Sequence, residues 1–387
     1  MKKLISIFGS TGSIGLTTLN VIDKKKNYFK PYLFSANKNY NLICKQIIKY
    51  KPVYFLINSE IVYQKVKKKF KFSKIKIIKE LKTNKIKKKS DITVLAISGI
   101  AGLSPTIFMI KKSKKMLIAN KESIICGWHI IRKLSKKYNT ELIPVDSEHF
   151  SILKLIEKNN LNNIEKVYLT ASGGPFLGLG YNQLKKVKPY QALRHPKWNM
   201  GKKITIDSST LMNKVLEFIE AQKLFNIPKE KLDILIHPES LVHAVVKFKN
   251  GLTKFIYHDT SMIVPIANAI FDQNLKIVDF LKDKRTIKNL TFKNPDHLNF
   301  PIIKILNKVN EYPSTSIIIN ASNEVMVDQF LRKKVPFLSI PLFINQILRD
   351  RNYKKYAIRK PKNLKQINAI NSWAKDKTIE KVKAKYG

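Results

Sequence analysis

The sequence predicts an α/β protein in which a doubly wound parallel sheet comes first, a mixed α+β region follows, and a helical region ends the chain. Over about the first 145 residues, short apolar runs alternate with longer helical patterns, which is typical of parallel strands joined by crossover helices. The chain then becomes rich in Gly, Ser, His and Trp, and helical periodicity dominates its last part. The predicted regions are 1–146, 147–271, a linker at 272–297, and 298–387.

Individual elements follow from the same patterns. Each predicted strand is a short apolar run, and each predicted helix places its apolar residues on one face. The predicted strands are Leu4–Phe8, Tyr32–Ser35, Val53–Ile57, Thr93–Ile97, Met116–Ala119 and Leu142–Val145. The predicted helices are Asn41–Tyr50, Ser123–Lys136 and Asn323–Arg332. A doubly wound sheet binds ligands at the carboxyl ends of its strands, so motifs that follow these strands are the first candidates for function.

Length and composition exclude several classes of protein. The chain has 387 residues, more than one hydrophobic core usually serves, so we expect more than one domain. No apolar stretch reaches the ~18 residues of a membrane-spanning helix. The apolar run at the start ends at Gly9, too early for a signal peptide. Cys44 and Cys126 make neither a disulfide framework nor a CxxC pair, so we expect a cytoplasmic protein. Because no apolar stretch is long enough to span a membrane, we expect no membrane partner.

The formal net charge of +46 is open to two interpretations. One is a basic nucleic-acid-binding protein, because clustered positive charge attracts phosphate backbones. However, the lysines are scattered among many Ile and Asn residues, as an AT-rich coding bias produces, and no RNP-like, zinc-finger or basic-zipper motif accompanies them. We therefore expect a solvated basic surface and no nucleic-acid partner. Its positive field attracts phosphorylated ligands.

A glycine-rich turn follows the first predicted strand and opens the first helix. Its glycines, Gly9, Gly12 and Gly15, have a GxxGxxG spacing rather than GxGxxG. Glycines at such a turn let backbone N–H groups approach a pyrophosphate at the positive end of the helix. This context predicts a Rossmann-like dinucleotide site, and a purely structural turn is the alternative.

The end of the second predicted strand indicates which dinucleotide is bound. An NAD site places Asp or Glu there, about twenty residues after the glycine turn. This chain has Asn37, Lys38 and Asn39 instead. Because a lysine with small polar neighbours suits a 2′-phosphate, the residues favour NADP over NAD.

Carboxylates follow the sixth predicted strand and occur again on a later helix. Asp146 and Glu148 come directly after the strand, whereas Glu217 shares a helix face with Asn213 and Lys214. Carboxylate oxygens are the ligands that Mg²⁺ and Mn²⁺ prefer. The three acids therefore predict a divalent-metal site, although most isolated Asp-x-Glu pairs are surface acids.

Other polar residues suggest a phosphate site and a flap. The candidate phosphate ligands are short donors and one cation: Ser172, Ser208, Asn213 and Lys214. Trp198 and Met200 lie in a loop that contains Pro and Gly, which we interpret as a hydrophobic flap over the substrate, with core packing as the alternative. The default expectation for three further histidines is a hydrogen-bonded structural role, with metal binding as the alternative for the first of them: His149, His237 and His243.

Taken together, these segments resemble the 1-deoxy-D-xylulose 5-phosphate reductoisomerase family along almost the whole chain. Agreement among several motifs in the same order is far more specific than any one motif. The motifs that carry the resemblance are Gly9–Gly15, Ala119–Ser123, Pro144–His149, Ser172–Phe176, Arg194–Gly201, Asp207–Glu217, Leu235–His243 and Asn320–Glu324.

The resemblance implies a homodimer with an N-terminal NADPH-binding domain, a connective catalytic and dimerisation domain, and a C-terminal helical domain. The implied reaction rearranges and reduces 1-deoxy-D-xylulose 5-phosphate to 2-C-methyl-D-erythritol 4-phosphate, in non-mevalonate isoprenoid synthesis. The implied metal is Mg²⁺, Mn²⁺ or Co²⁺, which polarises the substrate ketone as a Lewis acid. Carbon–carbon cleavage and rejoining then gives an aldehyde that NADPH reduces.

The resemblance also implies roles for individual residues. The implied metal ligands, which are catalytic as well, are Asp146, Glu148 and Glu217. The other implied catalytic residues are Lys121 and His195. The implied substrate contacts are Lys121, Ser147, Glu148, Ser172, His195, Trp198, Met200, Ser208, Asn213, Lys214 and Glu217. The implied NADPH contacts are Thr11, Gly12, Ser13, Ile14, Asn37, Lys38, Asn39, Asn120, Glu122 and Gly201.

The chain departs from the family pattern in several places. Asn37, Ser98 and Val215 replace glycines that are common in relatives, and His258–Pro265 lacks the usual Pro-Asp-Met-Arg. We expect this segment to pack in the dimer. The main alternative function is another NADP-dependent dehydrogenase of a phosphorylated aldehyde or ketone on the same fold, which would need neither metal nor rearrangement.

Overall fold

The computed structural model describes residues 2–82, 86–156, 161–198, 200–271 and 289–387. Contacts within the chain divide it into two compact units. The first unit combines Met1–Ser123, His129–Phe150 and Ser261–Arg285. The second combines Ile124–Trp128, Ser151–Thr260 and Thr286–Gly387. The domain boundaries predicted from the sequence stay a prediction, and positions 272–288 of the predicted linker lie outside the described residues.

The first unit is built on a seven-stranded parallel sheet. Its strands are β1 (Lys3–Phe8), β2 (Phe29–Ala36), β3 (Tyr54–Ile57), β4 (Lys76–Ile78), β5 (Ser90–Leu95), β6 (Ser113–Ile118) and β7 (Glu141–Pro144). They hydrogen-bond in the order β4-β3-β2-β1-β5-β6-β7. Ile5, Ile7 and Phe8 of β1 are fully buried, as expected for a central strand covered on both faces. The strand order reverses between β1 and β5, so the sheet's ligand-binding crevice lies at their carboxyl ends.

The helices that precede the second sheet have well-defined starts. They are α1 (Ser13–Asp23), α2 (Tyr40–Tyr50), α3 (Glu60–Lys69), α4 (Leu103–Ile110), α5 (Lys121–Tyr138) and α6 (Ser147–Ile156). The side chains of Asn39, Ser59 and Asn120 cap α2, α3 and α5, each accepting a hydrogen bond from a backbone N–H of the first turn. Such caps satisfy backbone donors that the helix itself leaves unpaired.

The second unit contains a four-stranded mixed sheet. Its strands are β8 (Ile164–Ala171), β9 (Leu232–Ile236), β10 (Val242–Phe248) and β11 (Thr253–Tyr257), in the order β11-β10-β8-β9. β8 and β9 run parallel, and the other neighbours run antiparallel. Between Val242 and Val245, β10 advances three residues while β11 advances two, from Tyr257 to Phe255, which is a β-bulge.

Helices complete the chain. Those after β8 are α7 (Tyr181–Leu184), α8 (Pro189–Ala192), α9 (Lys202–Ser209), α10 (Met212–Phe225), α11 (Ile263–Phe271), α12 (Thr315–Leu331), α13 (Ser339–Ile347), α14 (Tyr353–Ala357) and α15 (Leu364–Tyr386). α12 is buried on most sides and packs against α13 and α15. Among the helices of the described residues, none combines the length and apolar character needed to cross a bilayer.

The predicted fold class is confirmed, and all six predicted strands overlap observed ones. The three predicted helices correspond to α2, α5 and α12. The sequence analysis missed β4, because Lys76–Ile78 is short and sits among lysines. Charged, short strands of this kind are common at the edge of a sheet, which is where β4 lies.

Candidate active-site residues

The glycine turn after β1 is fixed by its own backbone. Gly9 has a φ of +81°, which favours glycine, and the N–H groups of Gly9 and Ser10 both donate to Ser35 O, at 3.1 and 2.9 Å. A Cβ added at Gly15 would lie 2.6 Å from Ser10 Cα, so no larger residue fits without movement of backbone. A Cβ at Gly12 would meet only Gly9 O, at an ordinary 3.4 Å. Gly9 and Gly15 are therefore the structural glycines of the turn, and Gly12 leaves room for a ligand.

Gln46 of α2 stabilises the same turn through two hydrogen bonds with Ser10. Ser10 Oγ donates to Gln46 Oε1 at 2.6 Å, and Gln46 Nε2 donates back to Ser10 O at 2.9 Å. Both side chains are buried. The sequence analysis missed Gln46, because a single polar residue on a helix gives no sign of its partner. By contrast, the predicted NADPH contacts in this turn are exposed or half-buried, namely Thr11, Gly12, Ser13 and Ile14.

The residues expected to select the nucleotide follow β2. Asn37, Lys38 and Asn39 are all exposed. Asn39 Oδ1 accepts a hydrogen bond from Leu42 N at 3.1 Å, so this residue caps α2 in addition to any ligand role. Lys38 is thus the one cation of the three, at the place where the sequence analysis expects the 2′-phosphate.

Asn120 joins the start of α5 to the loop after β5. Its Nδ2 donates to Ile97 O at 2.6 Å and to Gly99 O at 3.0 Å, while its Oδ1 accepts from Ser123 N at 2.8 Å. The same Nδ2 lies 3.0 Å from a carboxylate oxygen of Glu122. These contacts give Asn120 a structural role, and its predicted contact with NADPH stays a prediction.

Asp146 and Glu148 lie at the junction of β7 and α6. Lys121 Nζ is 3.3 Å from Asp146 Oδ2, and His149 Nδ1 is 3.3 Å from Asp146 Oδ1. Ser147 Oγ donates to Glu148 Oε2 at 2.7 Å. The structure therefore brings four predicted active-site residues of the first unit together, with a lysine balancing the acids.

The environment of Asp146 suits a cation. Burial by itself raises the pKa of this carboxyl, but the Lys121 ammonium, with His149 and Glu148, outweighs burial and holds the pKa well below its usual range. Asp146 Oδ1 is buried, and among the described residues its close polar neighbour is His149 Nδ1 at 3.3 Å, outside good hydrogen-bond geometry. A buried carboxylate oxygen so weakly satisfied is costly unless a ligand approaches it, so Asp146 fits a metal ligand.

In the second unit, the imidazole of His195 connects two serines. Ser172 directly follows β8, and Ser208 lies in α9. Its Nε2 is 3.1 Å from Ser172 Oγ and 3.1 Å from Ser208 Oγ. Its Nδ1 accepts hydrogen bonds from Lys197 N at 3.1 Å and Trp198 N at 2.9 Å. The imidazole thus links the candidate phosphate residues to the start of the flap. All three side chains are among the predicted site residues. The hydrogen bonds from the backbone N–H groups of Lys197 and Trp198 are not, because a backbone donor does not depend on residue type.

The hydrogen bonds define the charge state of His195. Since Nδ1 accepts from two backbone N–H groups, the ring proton resides on Nε2, which donates to one of the serines. Burial lowers the pKa of His195 to about 4, and the nearby Lys214 ammonium contributes. The ring is neutral at neutral pH and offers an N–H donor rather than a positive charge.

The start of α10 carries the third acid, Glu217. Asn213 Nδ2 donates to Glu217 Oε1 at 2.5 Å, and Lys214 Nζ donates to Glu217 Oε2 at 2.6 Å, all three side chains being buried. The shared helix face predicted from the sequence is confirmed. Leu211 precedes the helix with a φ of +61°, a left-handed conformation that is rare for leucine. Strained backbone of this kind is most common at functional sites.

A close approach of backbone places Ser172 near α9. Gly173 and Gly174 follow β8 with φ values of +82° and +66°. A Cβ added at Gly174 would lie 3.0 Å from Ser208 O and 3.0 Å from Ser209 Cα. The two glycines therefore allow the loop after β8 to reach the helix that carries Ser208.

The predicted flap contains Trp198, Met200 and Gly201, and Asn199 lies outside the described residues. The Trp198 and Met200 side chains are half-buried, and Gly201 is exposed at the start of α9. Trp198 packs edge-on against His243, with ring centroids 5.9 Å apart. This contact lies within the second unit and gives the flap a side-chain support.

Of the histidines expected to be structural, His237 is confirmed. Its Nδ1 is 2.9 Å from Thr291 O, and its Nε2 accepts from Leu241 N and Val242 N at 3.1 and 3.2 Å. His149 is fully buried beside Asp146. His243 is buried too, but it lies between two aromatic rings, an arrangement that the sequence analysis did not foresee.

Family models cover most of the chain. A model described as 1-deoxy-D-xylulose 5-phosphate reductoisomerase matches residues 5–127. Two models of the C-terminal domain of that enzyme match residues 142–225 and 259–377.

Relatives and solved structures agree with these matches. The 1-deoxy-D-xylulose 5-phosphate reductoisomerase of Pelagibacter ubique is 44% identical over 96% of this chain and 97% of that protein. The enzyme of the same name from Clostridium novyi is 39% identical over 99% of both. A solved structure of DOX-P reductoisomerase with NADPH, fosmidomycin and magnesium is 28% identical and covers 98% of both chains with a TM-score of 0.91. The Zymomonas mobilis reductoisomerase in complex with NADPH is 28% identical over 99% of both, with a TM-score of 0.85.

Proposed function

The chain belongs to the 1-deoxy-D-xylulose 5-phosphate reductoisomerase family, and we propose that Asp146, Glu148 and Glu217 are the ligands of its divalent metal. It converts 1-deoxy-D-xylulose 5-phosphate to 2-C-methyl-D-erythritol 4-phosphate in non-mevalonate isoprenoid synthesis, with NADPH as reductant. Bound metal supplies Lewis acidity toward the substrate ketone, and bound NADPH supplies the hydride.

One observation in the second unit supports the residue assignment most strongly. The buried carboxylate of Glu217 is held by Asn213 and Lys214, on the helix that follows Ser208, the last member of the Ser172–His195–Ser208 hydrogen-bond chain. An acid fixed by an amide and an ammonium is oriented before any ligand arrives, which lowers the cost of binding. Such an arrangement suits an enzyme that must hold a metal and a phosphate on one substrate.

The phosphate of the substrate binds to the hydroxyls of Ser172 and Ser208, the Nε2–H of His195, and the side chains of Asn213 and Lys214. All are hydrogen-bond donors, and Lys214 adds one positive charge. Because His195 is neutral, it donates a hydrogen bond to the phosphate and adds no positive charge that would repel the metal. Because the phosphate is remote from the reacting carbons, its binding free energy is available for orienting them and closing the flap.

Lys121 and Ser147 serve the reacting end of the substrate. Lys121 balances the charge of Asp146, which lies 3.3 Å from its ammonium. The same ammonium donates to substrate oxygens. Ser147 Oγ already donates to Glu148, which keeps that carboxylate oriented. Trp198 and Met200 cover the substrate and exclude water, which strengthens each of these interactions.

NADPH binds through the glycine turn, whose N–H groups and helix end face the pyrophosphate. Asn37, Lys38 and Asn39 contact the 2′-phosphate end, with the charge supplied by Lys38. The remaining contacts are Asn120, Glu122 and Gly201. Because Asn37 stands where relatives commonly have glycine, we expect its side chain to narrow this end of the site.

We infer the assembly from the family and the location from the cysteines. The protein is a homodimer, and the segment His258–Pro265 packs at its interface. Cys44 and Cys126 are buried thiols rather than a disulfide, which fits the reducing cytoplasm.

The test is the loss of NADPH absorbance when the purified protein receives 1-deoxy-D-xylulose 5-phosphate with and without Mg²⁺ or Mn²⁺. The expected result is metal-dependent oxidation with 2-C-methyl-D-erythritol 4-phosphate as product. Metal-independent oxidation of NADPH, coupled to reduction of another phosphorylated aldehyde or ketone without a change of carbon skeleton, would instead support a simple NADP-dependent dehydrogenase.

A further inference from the structure

His258 lies in the segment that departs most from the family pattern, and the proposed chemistry gives it no role. We infer that His258 is a positioning residue, whose ring supports His243 and thereby holds the flap residue Trp198 where it can close over the sugar phosphate. This inference rests on the proposed function, since it concerns how the flap serves that substrate.

The three rings form a continuous row within the second unit. The rings of His258 and His243 are stacked, with centroids 4.0 Å apart and an interplanar angle of 21°. The ring of Trp198 meets the other side of the row edge-on, 5.9 Å from His243 at 67°. Stacked and edge-on pairs are the favoured aromatic geometries. His243 therefore cannot shift without disturbing both neighbours.

The backbone fixes His258 at one end of the row. Val242 pairs with Tyr257, and His258 N donates to Leu241 O at 2.9 Å, which extends the β10–β11 ladder by one bond. The β-bulge in β10 begins directly at His243, and bulges change the direction in which side chains project. His258 Nδ1 is also 2.9 Å from Asp259 O. The support is thus anchored, whereas Trp198 lies in a loop.

The burial of His258 indicates whether its charge, its ring nitrogen or its ring surface supports His243. His258 is 8% exposed and His243 is 2% exposed. Burial lowers the pKa of His258, against the opposing hydrogen bond with Asp259, so the ring is neutral at neutral pH and does not repel the ring stacked on it. Its Nε2 is buried with no hydrogen-bond partner among residues 2–82, 86–156, 161–198, 200–271 and 289–387. The flat ring surface, rather than that nitrogen, is therefore what the neighbours require.

This interpretation makes a matched pair of variants informative. His258→Phe keeps a planar ring of similar size, whereas His258→Ala removes the stack and leaves a space beside His243. An aromatic pair is worth about 0.5–1.5 kcal/mol, and about 1.4 kcal/mol is a factor of ten. His258→Ala should therefore raise KM for 1-deoxy-D-xylulose 5-phosphate about two- to twelvefold, with kcat and NADPH affinity nearly unchanged. His258→Phe should stay within about twofold of the wild type.

Val246→Ala is the control for a merely structural effect. Val246 is fully buried on β10, the strand that carries His243, and it pairs with Lys254 of β11. This variant should lower the melting temperature and leave KM unchanged. If His258→Ala behaves in the same way, or if His258→Phe fails to restore KM, the positioning role is wrong.

A double variant tests whether the effect passes through the flap. In a Trp198→Ala background, His258→Ala should raise KM no further, because the residue it supports is already gone. Independent, multiplying effects of the two changes would overturn the inference.

A measurement without turnover separates this inference from the proposed function. The chain has three tryptophans, so Trp128→Phe with Trp373→Phe leaves Trp198 as the sole emitter. Adding His258→Ala should increase acrylamide quenching of Trp198, and adding His258→Phe should not. Equal quenching in all three proteins would overturn the support role even if the wild type proves inactive on 1-deoxy-D-xylulose 5-phosphate.

Discussion

The glycine turn of the first unit and the serine–histidine group of the second are both candidate phosphate sites, yet they are built from different materials. The turn uses backbone N–H groups, and its shape depends on glycines such as Gly9 and Gly15. The second group uses the side chains of Ser172, His195 and Ser208. Backbone donors do not titrate, and they stay in place as long as the fold does. Side-chain donors depend on rotamers and on the protonation state of an imidazole.

The two sites should therefore lose function in different ways. The turn should be disrupted by steric clash, because a Cβ added at Gly15 would overlap backbone atoms. The serine–histidine group should be disrupted by the loss of single hydrogen bonds and by changes of charge. Variants that change one of these properties and leave the other intact distinguish the two sites.

The largest effect is expected from Glu217→Gln. Loss of a carboxylate from the proposed metal site removes a charge that a divalent metal needs, so kcat should fall on the order of a thousandfold, since metal polarisation is worth several kcal/mol. NADPH affinity, measured by fluorescence titration, should stay within about twofold because the turn in the first unit is unchanged. The exposed Glu230→Gln is the matched control and should behave as wild type. Retained turnover, or loss of nucleotide binding alone, would contradict the assignment of Glu217.

Gly15→Ala should have the next largest effect. Its Cβ would meet the backbone of Gly9 and Ser10, so the turn must move, which should cost about 1–3 kcal/mol of stability and weaken NADPH binding tenfold or more. Thermal unfolding and NADPH titration measure both effects. Gly12→Ala, whose Cβ has room, is the control for stability and should unfold at the wild-type temperature. If both variants are equally stable, the turn is not limited by sterics.

His195→Ala should act on substrate binding and leave the nucleotide site intact. It removes the donor between Ser172 and Ser208 and the acceptor of Trp198 N. Two hydrogen bonds at about 0.5–1.5 kcal/mol each correspond to a rise in KM of roughly 5- to 150-fold. Steady-state kinetics at saturating NADPH measure the change. An effect confined to kcat would place His195 at the reacting carbons instead of the phosphate.

The smallest effect is a pH dependence of stability. The pKa of His195 is lowered to about 4 in the folded protein, whereas an unfolded histidine titrates near 6.5. Between these values the unfolded state binds more protons, so stability falls as pH decreases from 6.5 to 4 and is unaffected by this group above 6.5. His195→Gln should flatten the slope of unfolding free energy against pH by less than one proton in that window. An unchanged slope would mean that the ring is not neutral in the fold.

Much of this comparison could be predicted from the sequence. The glycine spacing predicted the turn, because glycine positions reflect backbone geometry directly. The spacing of Asn213, Lys214 and Glu217 predicted a shared face, because helical periodicity is regular. In each case local chain geometry decides the outcome.

Contacts between distant segments could not be predicted in this way. Gln46 donates a hydrogen bond to Ser10, and Asn120 donates one to Ile97. No periodicity in the sequence predicts either contact. The stacking of His243 on His258 occurs beside a β-bulge, which a strand pattern does not show. Residue types were therefore foreseen better than their partners.

Leu211 carries a consequence for mutational tolerance. Its left-handed backbone costs about 1–2 kcal/mol relative to an ordinary conformation, whereas burying its side chain contributes about 1.5–3 kcal/mol. Glycine would relieve the backbone and empty the core, and isoleucine or valine would fill the core and worsen the backbone. Neither kind of substitution improves on leucine. Leu211 has no assigned ligand, yet its replacement should destabilise the turn that presents Asn213 and Lys214, because burial of its side chain offsets the cost of its backbone conformation.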